Sequence, residues 1–132
     1  MLLPITATTA ALLALLLLAL AIQTVCQRVR LKTGFGDGGD PSLIAASRSH
    51  GNLAEHAPIV LIMLGLLEYA SANRTLLMVL AAAFVIGRIC HVFGLHTASE
   101  PGKPPLLRQV GVILTWLVML VLAVVILLGV FA

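Results

Sequence analysis

A chain of 132 residues that is 61% hydrophobic and only 10% charged, with a mean hydropathy of +1.13, lacks the polar groups that cover a water-soluble domain. Its formal charge is +3 and its isoelectric point about 9.4, but the basic residues sit at the ends of apolar runs and aromatics are few. That is membrane-flanking charge, not a nucleic-acid-binding stripe.

The first expected helix covers 2–25. Residues 1–27 carry no charged side chain, and about 20 apolar residues suffice to cross the hydrocarbon layer. A cleaved signal peptide places basic residues ahead of its apolar core. Here Arg28, Arg30 and Lys32 follow it, so the segment reads as a retained span. The glycine-rich stretch from Gly34 to Asp40 comes next. It lacks the Lys-Ser/Thr ending and the flanking strand of a phosphate loop, and so reads as a turn. Asp40 then serves as N-cap and Pro41 as the first helical residue.

The second helix is expected over 41–71. Its first half is polar, with Arg48, His50, Asn52, Glu55 and His56, its second half is apolar from Ala57 to Leu67, and Pro58 at the boundary is expected to kink it. The third is expected over 75–96, with Arg88 and His91 in its later half. A loop over 97–105, containing Pro101 and Lys103, leads to a fourth helix over 106–131 that is uncharged after Arg108. The expected architecture is therefore all-α: a four-transmembrane-helix bundle in a lipid bilayer, forming one domain over 1–132. Lys and Arg cluster in the first and third loops, and the second has only Arg74. This bias places loops one and three in the cytoplasm and both termini outside it.

With alternating helix directions, Arg30, Arg48, Asn52, Glu55, Arg88, His91 and Arg108 all fall in the cytoplasmic half of the membrane. Arg48 and Asn52 are four residues apart and Asn52 and Glu55 three, so the three share one stripe about 60° wide. Arg88 and His91 likewise share a face of helix three. An arginine at the bilayer centre costs at least ~2.5–3.5 kcal/mol, and one glutamate cannot neutralise Arg30, Arg48, Arg88 and Arg108 together. The excess calls for an anionic ligand whose carboxylates guanidinium forks can clasp. The competing reading is a buried salt-bridge network with snorkelling at the interface. The histidines (His50, His56, His91, His96) lack metal-site spacing and an accompanying acidic cluster, so no metal is expected. Cys26 and Cys90 read as free thiols.

The stretch Gly36-Asp37-Gly38-Gly39, followed by Arg48-Ser49-His50-Gly51-Asn52-Leu53-Ala54-Glu55 and Pro58, resembles the MAPEG family, the membrane-associated proteins of eicosanoid and glutathione metabolism. The helix-two pattern R-x-H-x-N-x-x-E is met in full. Gly87-Arg88-Ile89-Cys90-His91 is similar to the family's helix-three motif, and Gly102-Lys103 followed by Arg108 to its entry into helix four. The glycine-rich loop points to the small bacterial inner-membrane branch. The resemblance implies a homotrimer with glutathione as co-substrate, bound between subunits near the cytoplasmic face. It assigns Arg30, Arg48, Asn52, Glu55, Arg88 and His91 to holding glutathione, and Arg108 to stabilising its thiolate. A neighbouring cation lowers a thiol pKa from about 8.5. The chain departs from the prostaglandin-forming members at Gly51, where they have arginine, at Leu95, where they have tyrosine, and at Gln109 and Val112, where they have serine and tyrosine.

Three functions follow as expectations. The first is a glutathione-dependent transferase or peroxidase acting on small lipophilic electrophiles or hydroperoxides. The second is a non-catalytic, lipid-binding accessory protein. The third is a small multidrug exporter, disfavoured because helix one carries no membrane-embedded carboxylate. Binding of glutathione, conjugation of an electrophile and proton-coupled efflux separate them.

Overall fold

The computed structural model describes residues 2–97 and 102–131; Pro101 of the expected third loop lies outside them. The described residues form four helices in chain order: α1 (Pro4–Leu31), α2 (Pro41–Tyr69), α3 (Arg74–His96) and α4 (Leu106–Phe131). All four are long and apolar enough to span a bilayer, and the chain is an integral membrane protein.

Helix α1 starts at Pro4, whose missing N–H is no loss at that position, and runs six residues past the expected end at Val25. At 28 residues it is about 42 Å long, more than the ~30 Å hydrocarbon layer requires. Polarity alone does not end a helix. Arg28 and Arg30 lie in its last turn, where cations complement the helix dipole. The chain turns only at Lys32, which takes the left-handed conformation. The loop beyond is shaped by Arg28, which donates to the carbonyls of Gly34 and Gly36. Consecutive positive φ angles at Gly38 and Gly39 suit residues without a side chain.

Asp40 caps α2 as the sequence suggests, accepting from the backbone N–H groups of Ser42 and Leu43. The Ser42 hydroxyl foremost, and then those backbone bonds, hold its carboxyl below the usual carboxylate range. Helix α2 continues through Pro58 as one helix and ends at Tyr69, two residues earlier than expected.

Helix α1 has no capping side chain of its own, because Leu3 precedes it. Glu68, near the end of α2, supplies one from a distance. Its carboxylate accepts from the N–H groups of Ile5 and Thr6, each at 2.8 Å, and from the Thr6 hydroxyl at 2.7 Å. The carboxylate thus has a structural role at the head of α1, where helix N–H groups favour a negative charge. Replacing Glu68 with alanine is expected to destabilise the protein by about 1–3 kcal/mol, read as a lowered thermal unfolding midpoint in detergent. An unchanged midpoint contradicts this capping role.

The helices pack as an open array. Helices α2 and α3 are central, α1 packs on α2 and α3, and α4 packs on α3 and α2; α1 and α4 do not meet. The core joins Leu53, Val60, Leu64, Leu77, Phe84, Val118 and Leu122 with Leu13 and Leu20 of α1. Large apolar residues on the outward faces, such as Leu15, Ile62, Trp116 and Leu128, suit lipid or neighbouring protein as their solvent.

Candidate functional site

The tightest contact in the array brings α3 against α4. A Cβ placed on Gly111 would lie 2.6 Å from the Gly87 carbonyl oxygen and 2.7 Å from the backbone nitrogen and Cβ of His91. A Cβ on Gly94 would collide with the backbone of Arg108. Small residues are what allow membrane helices to come backbone to backbone. The closeness has a chemical consequence: it puts a carbonyl of α4 within reach of a side chain on α3.

That side chain is Arg88, only 2% exposed. One terminal nitrogen donates to the Asn52 side-chain oxygen on α2. The other donates to the Gly111 carbonyl at 3.1 Å and to the Thr115 hydroxyl. The guanidinium lies 5.7 Å from the centre of the Phe84 ring, within cation–π range. Arg88 therefore ties α2, α3 and α4 together at one depth, and no acid is among these partners. Asn52 accepts from Arg88 through its oxygen, which leaves its amide NH2 to donate elsewhere.

Among the described residues, three buried side-chain atoms have no hydrogen-bond partner: Ser49 Oγ, Arg88 Nε and His91 Nδ1. Ser49 is 1% exposed and His91 5%. Unpartnered buried polar groups are costly, so these three atoms on α2 and α3 are open to partners from outside the chain.

Among the sequence-identified residues, the structure brings Asn52 and Arg88 into direct contact. It buries His91 one turn from Arg88 and packs its backbone on Gly111. Arg48, Glu55 and Arg108 are exposed on the single chain, and none of their side chains has a hydrogen-bond or ion-pair partner among the described residues. Arg30 is not drawn to Arg88. In the last turn of α1 it donates to the Ser42 hydroxyl at 2.7 Å and lies 3.7 Å from the Asp40 carboxylate, which is the only salt bridge among the described residues. Two histidines have local roles. His56 Nδ1 donates to the Asn52 carbonyl at 2.8 Å. His96 Nδ1 donates to the Val92 carbonyl, so its Nε2 accepts from Gln23 at 2.9 Å. Among the described residues no group of His, Cys, Asp and Glu could hold a metal ion, and both cysteines are free.

Sequence reasoning missed Thr115, Gly111 and Ser49. The signal was present in α4: Gly111 and Thr115 follow Arg108 by three and seven residues, on one helical face. Thr115 is the only hydroxyl between Arg108 and the C-terminus.

The pattern of the MAPEG family matches residues 6–128. Two relatives, both named "Inner membrane protein YecN", from Escherichia coli strain K12 and from E. coli O6:H1 strain CFT073, are each 31% identical over 83 residues. The aligned stretch covers 63% of this chain and 63% of the relative in each case. No solved structure matches the chain. With the family pattern spanning nearly all four helices, the chain belongs to the MAPEG family.

Proposed function

We propose that this protein binds glutathione near the ends of its helices that carry the basic loops, and uses its thiolate against small lipophilic electrophiles or hydroperoxides drawn from the bilayer. The supporting observation is the buried Arg88–Asn52 pair. It holds cationic and amide donors at membrane depth with no acid bonded to them, and Arg48, Glu55 and Arg108 flank it without side-chain partners among the described residues. An anionic tripeptide with two carboxylates and one ammonium complements that set. Arg48 and Arg88 would take carboxylate charge, Glu55 the ammonium and the Asn52 NH2 a carbonyl or carboxylate oxygen. His91 and Arg30 would close the site, and Arg108 would stabilise the thiolate.

Arg48, Glu55 and Arg108 lie on the outside of one chain, so the site we propose is completed by neighbouring copies in a homotrimer. The same reading puts the protein in the bacterial inner membrane, with loops one and three in the cytoplasm and both termini outside. A second reading, a non-catalytic lipid-binding member, draws support from the hydroxyl inventory. Tyr69 is exposed near the far end of α2 and Thr115 is engaged by Arg88, which leaves Ser49 as the one buried site hydroxyl without a partner among the described residues.

Calorimetric titration of the detergent-purified protein with glutathione tests binding; no heat at millimolar ligand overturns the proposal. Catalysis is read from conjugation of a chlorodinitrobenzene-type electrophile. Removing thiolate stabilisation with Arg108→Ala is expected to lower the rate by roughly 100-fold, with glutathione affinity changing less. Equal rates with intact binding select the non-catalytic reading.

A further inference from the structure

At the membrane face opposite the basic loops, one arginine stands alone. Arg74 opens α3 and has no hydrogen bond or ion pair with any described residue; it acts on Glu68 only at longer range. Two hollows meet at it. One is an apolar groove of about 480 Å³ between α1 and α3, where Thr8 and Leu12 face Met78, Ala82 and Val85. The other, of about 290 Å³, lies beside Glu68 and Ser71 and has a larger polar share. Pro4, Ile5 and Arg74 line both.

The dimensions fit one occupant. From Arg74 to Val85 the groove follows α3 for about 16 Å, the depth of one leaflet of a ~30 Å hydrocarbon layer. Its wall is largely apolar along that length, and its mouth carries a free guanidinium at the level of the lipid headgroups. Glu68 attracts that charge only at longer range; its carboxylate bonds to the head of α1 and not to Arg74, so the guanidinium donors remain open to a ligand.

We infer that this groove is a binding site for one glycerophospholipid of the adjacent leaflet, with an acyl chain along α1 and α3 and its phosphate on Arg74. The guanidinium provides two parallel donors for phosphate oxygens, and the polar hollow takes the rest of the headgroup. The site is independent of the glutathione reading and lies at the other end of the helices.

Native mass spectrometry of the detergent-purified protein tests it, with phosphatidylglycerol or diacylglycerol of identical chains added at equal concentration. The two differ by the phosphate-bearing headgroup. Phosphatidylglycerol is expected to remain bound at least about tenfold more than diacylglycerol. Arg74→Gln should reduce it to the diacylglycerol level, and Ala82→Trp, which fills the groove from an exposed position, should remove both. Equal retention of the two lipids by the unaltered protein overturns the inference without recourse to any variant. So does retention that neither substitution changes. In a chain with Cys26 and Cys90 replaced by serine, efficient disulfide formation between copies through Ala82→Cys in membranes assigns the groove to a second copy instead, and also overturns it.

Discussion

Replacing Gly111 with leucine is expected to abolish the native packing of α4 on α3. The new side chain would begin 2.6 Å from the Gly87 carbonyl oxygen and 2.7 Å from the backbone of His91. Both obstacles belong to helix backbone or to the first side-chain atom, so neither can rotate away. Overpacking in a well-filled core costs typically ~1–3 kcal/mol when side chains can shift; here the helices themselves must separate. Separation has a second effect. It withdraws the Gly111 carbonyl and the Thr115 hydroxyl from Arg88, leaving a guanidinium in the membrane with fewer acceptors, where each lost charge-assisted bond is worth about 1.5–3 kcal/mol. The measurement is the yield of monodisperse protein after extraction, together with its thermal midpoint. Gly129→Leu is the control, since a Cβ there meets nothing within 4 Å, and it should behave as the parent does. Matching behaviour of the two variants would show that α3 and α4 do not need this close approach.

The elements that could be read from the sequence were those set by composition and local chemistry. Four apolar runs of spanning length, Asp40 before Pro41 and the basic flanks each rest on a few adjacent residues, and each points to the same structure. The end of α1 was misplaced because the end of an apolar run marks where lipid ends. Helix geometry continues until a residue such as Lys32 takes up the left-handed conformation.

At the candidate site, the stripe of Arg48, Asn52 and Glu55 follows from helical periodicity alone. The partners of Arg88 do not. Thr115 and Gly111 become its acceptors only because two glycines let α4 approach, and close approach between segments distant in sequence is not encoded locally. Glu68 shows the same limit: an isolated acid in an apolar run gives no hint that it caps a helix 62 residues away. The exposed positions of Arg48, Glu55 and Arg108 depend on what surrounds the single chain.

Arg88→Leu should separate binding from stability. Deleting the guanidinium does not orphan everything it touches. The Thr115 hydroxyl still donates to the Gly111 carbonyl at 2.8 Å, and Asn52 is only half-buried, so its amide can find other partners. Because each acceptor keeps or can find another partner, the net cost falls below the sum of three charge-assisted bonds, to a few kcal/mol. Against them stands relief from holding an arginine within the membrane, at least ~2.5 kcal/mol. Arg88 also has no ion pair among the described residues to lose, so no Coulombic gain is given up with its charge. The thermal midpoint of Arg88→Leu is thus expected to stay close to the parent's. On the proposed function, glutathione affinity is not protected by the same cancellation. The variant loses the buried positive charge and the bond that orients Asn52, and a fall of about 100-fold, or ~2.7 kcal/mol, is expected by titration. Arg88→Lys keeps the charge but not the fork that reaches α2 and α4 together, and should fall between the two. A variant that unfolds while its folded fraction binds normally would make Arg88 a structural tie and nothing more. Normal stability with lost binding would mean that a cation is kept at this depth for its ligand, since the fold gains little from carrying it.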